Sequence, residues 1–171
     1  GELPDLVILS RTNARSTVHR PGYMDYIGVL SFDENGRPNG EQRFLGLYTS
    51  NAYTYHIHDI PLVRAKTERV LARSGLSRSG HGGKALVHVL ETLPRDELFQ
   101  ATADELHDTA MGIFHLQERQ RTRLFIRRDR YGRFLSCLVF VPRDRMTQDN
   151  RQRIEALLKR VFQGERVDSQ V

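Results

Sequence analysis

Arginines, hydroxyls and one imidazole crowd into the stretch Arg11-Thr12-Asn13-Ala14-Arg15-Ser16-Thr17-Val18-His19-Arg20. Guanidinium groups grip carboxylate or phosphate oxygens as a two-pronged fork, and neighbouring hydroxyls add further donors. Arg15, Ser16, His19 and Arg20 are therefore the candidate cradle for a small carboxylate or amino-acid effector. A polar connection between two strands has the same composition. Ser16, His19 and Asp25 supply the residue types of a hydrolase triad, but no nucleophile elbow frames Ser16 and that chemistry is rejected. No catalytic residue is assigned.

Three other clusters invite chemistry. His56-Ile57-His58 places two imidazoles on one side of an extended segment, a spacing that binds metal once a third ligand arrives. No third ligand is identifiable, and His107 and His115 stand too far apart on one helix to share an ion, so no metal site is expected. Ser79-Gly80-His81-Gly82-Gly83-Lys84 looks like an anion-binding glycine loop, yet nothing strand-like precedes it and Ala85 follows where a P-loop has Ser or Thr. Seven arginines between Arg119 and Arg133 can footprint a polyanion, and Arg130-Tyr131-Gly132-Arg133-Phe134-Leu135 shares part of the RNP1 pattern of RNA-recognition motifs. The glycine expected before the aromatic is missing and Cys137 replaces the last aromatic, which leaves an RNA-binding module as an alternative and nucleic acid as the weaker partner. No strand, G-x-G-x-x-G turn and helix follow one another, so no dinucleotide cofactor is expected within this chain.

Composition sets the frame for these groups. The chain has 171 residues, 39% of them hydrophobic, enough for one ordinary domain or two small ones. No apolar run is long enough for a membrane span and the N-terminus lacks the pattern of a signal peptide, so a cytoplasmic protein without membrane contact is expected. The single cysteine, Cys137, lies inside an apolar run and reads as a buried inert thiol. The net charge of +5 is carried almost wholly by arginine and alone identifies no partner.

The elements that must position these residues begin with antiparallel strands. Leu6 to Leu9 is a short apolar strand, and Met24 to Phe32 alternates with period two. Asn35-Gly36 can supply the positive φ angles of a hairpin whose returning strand is Gln42 to Thr49. Asp59 is placed to cap a helix carrying Val63, Val70 and Leu71 and ended by Gly75; Gly83 to Leu93 forms a second, stopped by Pro94. Thr102 and Glu105 form a capping box for a third helix with Leu106, Ala110, Ile113 and Phe114 on one stripe. Thr122 to Arg128 and Phe134 to Val141 are strands joined by Asp129-Arg130-Tyr131-Gly132. Thr147 caps a last helix whose Ile154, Leu157, Leu158, Val161 and Phe162 predict one buried face. With Leu98-Phe99-Gln100 read as a short strand, the order from residue 97 is β, α, β, β, α, a ferredoxin-like unit without its last strand.

Longer stretches carry a resemblance. Ser16 to Val29, Arg43 to Thr49, Gly83-Lys84-Ala85-Leu86, Leu93-Pro94-Arg95-Asp96-Glu97-Leu98-Phe99-Gln100 and Arg127 to Arg145 are similar to the N-terminal half of the large-type bacterial NAD-dependent glutamate dehydrogenases. The resemblance implies a longer homo-oligomeric parent that uses NAD to oxidise L-glutamate to 2-oxoglutarate and ammonium, with this piece outside its catalytic domain. It implies an α+β fold: residues 1–58 the antiparallel part of a PAS-like domain, 59–96 a helical connector, and 97–171 an incomplete ACT-like unit. The expected partners are other domains and subunits of the parent, together with a small carboxylate or amino-acid effector. A purely structural interdomain or oligomerisation module is the alternative.

Overall fold

The computed structural model describes residues 6–116 and 121–170. Three antiparallel strands open the chain: β1 (Val7–Arg15), β2 (Tyr23–Phe32) and β3 (Pro38–Gly46), in the order β1-β2-β3. Asn35-Gly36 makes the β2–β3 turn as expected, with Gly36 at φ +74° and Asp33 accepting hydrogen bonds from the backbone of Asn35 and Arg37. Helices follow: α1 (Ser50–Thr54), α2 (Pro61–Ser74), α3 (His81–Thr92), α4 (Arg95–Gln100) and α5 (Ala103–Phe114). The chain then forms the antiparallel hairpin β4 (Arg123–Arg128) and β5 (Leu135–Phe140), and ends with α6 (Gln148–Val161).

The core lies among the helices. Val63 and Val70 of α2, Leu86 and Leu90 of α3, Leu98 of α4 and Leu106 of α5 are almost wholly buried. Removing each such side chain from water contributes about 1.5–3 kcal/mol. Local signals set the helix limits: the Thr102–Glu105 capping box is formed in full, and Gly75 at φ +69° ends α2. Leu9 of β1 and Phe125, Leu138 and Phe140 of the hairpin pack against the same core. Gly112 of α5 admits the hairpin, since a Cβ there would lie 2.4 Å from the Phe125 ring.

The α+β class and the antiparallel sheet followed by helices are as read from the sequence, and the two-stranded sheet with its helix is consistent with an ACT-like unit. Several details differ: Cys137 is half-buried and not buried, and β1 and β3 run Val7–Arg15 and Pro38–Gly46 where Leu6 to Leu9 and Gln42 to Thr49 were expected. Leu98-Phe99-Gln100 is helical, because Pro94 starts α4 and Asp96 and Glu97 occupy its first turn, where the helix dipole favours acids. Pro61 at the first helical position starts α2 after Ile60, and Asp59 belongs to a 3-10 turn instead of capping it. The α6 stripe has the predicted spacing and Thr147 caps it, yet Leu157 is 47% and Val161 59% exposed and no α6 residue is buried. Periodicity reports which face is apolar, and the described residues do not bury this one.

One glycine is held by close packing. A Cβ on Gly83 would lie 2.1 Å from the Ser77 carbonyl oxygen and 2.9 Å from the Arg78 Cα, both backbone atoms. Alanine inside a helix ordinarily gains about 1 kcal/mol over glycine. At Gly83 the clash outweighs that gain, and urea denaturation of Gly83→Ala is expected to show a net loss of about 1–3 kcal/mol.

Candidate functional site

Most buried polar residues lie where the sheet, the helices and the hairpin meet. They are Ser10 of β1, Asp25 of β2, Glu97 of α4, Arg127 of β4, and Asp129 in the β4–β5 turn. A six-residue helix has little stability of its own. Tertiary contacts at both ends of α4 fix it: at its C-terminal end the Lys66 ammonium donates to the carbonyls of Phe99 (2.6 Å) and Ala101 (2.7 Å). At its N-terminal end three consecutive side chains reach three different elements.

Arg95 Nη2 donates to the Tyr55 carbonyl at 2.7 Å, beside α1. Asp96 pairs with Arg11 of β1 and accepts from the Tyr53 hydroxyl at 3.4 Å. Glu97 receives Arg127 as a two-pronged fork, Nε at 2.9 Å and Nη2 at 2.8 Å, and accepts from Ser136 of β5 as well. Gln100 takes a further bond from Arg127 Nη2 at 3.0 Å. Burial opposes charge on Arg127, yet the Glu97 partner raises its pKa above the ordinary value.

Strand alternation explains how one strand serves two neighbours. Ser10 and Arg11 point to opposite faces of β1: Arg11 turns to α4, and Ser10 donates to Asp129 in the β4–β5 turn. Arg133 Nη2 donates to Ser10 Oγ at 3.0 Å and Nε to Asp129 at 3.2 Å. Burial works against the Asp129 carboxylate, but the Ser10 hydroxyl and the backbone and side chain of Arg133 hold its pKa below the usual range. Asp25 is the opposite case: burial outweighs the hydrogen bond from the Tyr48 amide, and its pKa is raised. Burial, with the charge of Asp96, pushes the Tyr53 hydroxyl up to about 12.

The sequence-predicted cradle spans the last residue of β1, Arg15, and the loop that leads to β2. The Ser16 amide donates to the Gly22 carbonyl at 2.8 Å, the Ser16 hydroxyl donates to the Val18 carbonyl, and His19 takes a left-handed φ of +64°. Arg15 lies over the Tyr23 ring at 5.0 Å and 3.7 Å from Asp168; Arg20 lies over the Tyr53 ring at 5.4 Å and donates to the Tyr48 carbonyl at 3.2 Å. The strand end and loop thus carry all four residues but send the two guanidinium groups to different neighbours. His56 and His58 fall at a 3-10 turn, and no group of three His, Cys, Asp or Glu able to hold a metal ion occurs among the described residues. The arginine cluster is divided: Arg127 and Arg133 are used internally, Arg121, Arg123, Arg128 and Arg130 are exposed, and Arg119 lies outside the described residues.

The sequence alone assigned nothing to Ser10, Asp96, Glu97 or Ser136, and placed Asp129 only in the hairpin turn and Arg127 only in the arginine cluster. One signal was present: Arg127 shares a face of β4 with the core-facing Phe125, so its charge needs a buried acid.

A two-stranded hairpin followed by a helix is consistent with an ACT-like unit, and the family comparisons agree. The family model for the glutamate dehydrogenase ACT2 domain matches residues 123–171, and that for glutamate dehydrogenase helical motif 1 matches residues 60–119. The chain belongs to the glutamate dehydrogenase family. It is 44% identical to the NAD-specific glutamate dehydrogenase of Halomonas elongata over 156 residues, 91% of this chain, and 44% identical to that of Pseudomonas aeruginosa over 161 residues, 94% of this chain. The NAD-specific glutamate dehydrogenase of Mycobacterium tuberculosis is 32% identical over 95% of the chain. These alignments span only 10% of each relative's length.

The raised pKa of Asp25 has a definite sign. An acid whose folded pKa is raised stabilises the fold below its unfolded value, and that contribution is lost as pH rises through the folded pKa. Asp25→Asn keeps an acceptor for the Tyr48 amide and removes the buried charge. The variant is expected to melt higher than the parent at pH 7, with the gap closing toward pH 4, read by thermal unfolding across that range.

Proposed function

We propose that this chain is a non-catalytic regulatory and assembly segment of an NAD-dependent glutamate dehydrogenase. In that parent, L-glutamate, NAD⁺ and water give 2-oxoglutarate, ammonium and NADH, and NAD binds outside this segment. The observation that carries the reading is the pair of family matches, a helical motif and an ACT2 domain, together with 44% identity across nearly the whole chain to NAD-specific enzymes. Geometry supports it: the junction's acids and guanidinium groups are engaged with one another, the arrangement of a part that holds and orients other parts.

In this reading residues 1–58 are the antiparallel part of a PAS-like domain, 59–96 a helical connector and 97–171 the region of the ACT-like unit. The parent is a cytoplasmic homo-oligomer, and its neighbouring domains and subunits are the partners. The loop bearing Arg15, Ser16, His19 and Arg20 takes a small carboxylate or amino-acid effector. A strained residue that persists in a structure often marks a functional position, and His19 is the left-handed residue of that loop. The second reading, a purely structural module, is favoured by the exposed apolar stripe of α6 and by Ile126 and Leu124 on the outer face of the hairpin.

Thermal unfolding with a panel of amino acids, dicarboxylates and nucleotides separates the two readings. A bound effector at a hundred times its dissociation constant adds about 2.7 kcal/mol. The sensor reading expects one carboxylate to raise the melting temperature, and Arg15→Ala with Arg20→Ala to abolish that shift while the unliganded protein still folds. Absence of a shift with every compound leaves the structural module.

A further inference from the structure

The hairpin β4–β5 is held in two chemically different ways. Toward the helices it presents Phe125, Leu138 and Phe140 to the apolar core, beside the buried Arg127–Glu97 pair. Toward the N-terminal sheet it presents the turn, residues 129–133, which makes hydrogen bonds and ring contacts there. Ser10 bonds Asp129 and receives Arg133; the Tyr131 hydroxyl donates to Glu41 of β3 at 3.2 Å. The Arg133 guanidinium lies over two rings, 5.3 Å from that of Tyr26 and 4.7 Å from that of Tyr131, and those rings meet edge-on at 5.7 Å. Tyr26 also donates to Glu41, at 2.6 Å. Gly28 makes the space for that carboxylate, since a Cβ there would lie 2.0 Å from Glu41 Oε1.

We infer that the contact between this turn and the sheet is a releasable latch. Apolar burial is non-directional and tolerates small displacements, whereas hydrogen bonds weaken steeply once their geometry is lost. Polar contacts between units of one chain also favour relative motion over permanent fusion. Each latch group has water as a ready alternative partner once the turn lifts, and the apolar face of the hairpin keeps its place on the helices meanwhile. The latch therefore opens by local separation of Asp129, Tyr131 and Arg133 from Ser10, Tyr26 and Glu41. A disturbance of the sheet reaches the ACT-like hairpin by this route without unfolding the helical body. The inference stands whether or not the loop at residues 15–20 binds an effector.

Hydrogen–deuterium exchange tests it by altering one side and reading the other. Tyr131→Phe and Asp129→Asn, changed in the turn, are read at the β1 and β2 amides; Glu41→Gln and Ser10→Ala, changed in the sheet, are read at the amides of residues 129–134. Tyr131→Phe and Glu41→Gln remove little volume, which keeps the test valid where the two buried-site variants fold poorly. Exchange on the unaltered side is expected to quicken about tenfold while α2, α3 and α5 keep the parent's rates. Equal quickening in the helices, or no change on the unaltered side, overturns the latch.

Discussion

Arg127 is a charge that the fold has no means of leaving unpaired. It faces inward from β4 beside Phe125, it is 8% exposed, and its fork is filled by Glu97, itself 9% exposed. Removing one partner of such a pair typically costs about 3–5 kcal/mol, because the other charge stays buried without compensation. Glu97 must therefore stand at one spot, and that requirement fixes α4. Once α4 is fixed, its neighbours in sequence are committed: Asp96 to Arg11 of β1 and Arg95 to the backbone beside α1. One short helix thereby joins the sheet, the helical body and the hairpin.

The circuit closes on the far side of the sheet. Alternation along β1 turns Arg11 to α4 and Ser10 to the hairpin turn, so the strand is gripped from both faces. The two grips differ in character. The α4 side is backed by Leu9 and by Tyr48, tilted against Phe99 at 4.8 Å, while the turn side adds hydroxyl, carboxylate, guanidinium and ring contacts on the face of β1 that buries Ile8. The proposed regulatory role needs parts that are registered to one another and still able to shift. A permanent apolar contact beside a polar one meets both needs.

What the sequence disclosed follows how local each signal is. The Asn35-Gly36 turn, the Thr102–Glu105 capping box, the Gly75 stop and the Thr147 cap each depend on residues within one helical turn, and each is formed. Leu98-Phe99-Gln100 was too short to show a period, and Pro94 with two acids in the first turn decided for helix. The α6 stripe announced an apolar face without saying whether these residues would cover it. The junction was the least legible part, because Glu97 and Arg127 are 30 residues apart in the chain and Ser10 and Asp129 are 119 apart. No spacing rule connects such pairs. Family-like stretches contained Asp96, Glu97, Arg127 and Asp129, and the structure supplies the physical role each has there.

The claim that α4 ties the units together through Glu97 and Arg127 is tested most directly by a double-mutant cycle. Stability to urea is measured for the parent, Glu97→Gln, Arg127→Met and the double variant. A buried, two-pronged pair predicts a coupling energy of about 2–3 kcal/mol, with the double variant more stable than the sum of the single losses implies. A coupling within about 0.5 kcal/mol of zero would show that the two residues act independently, and the account of α4 as the joint between sheet, helices and hairpin would be wrong.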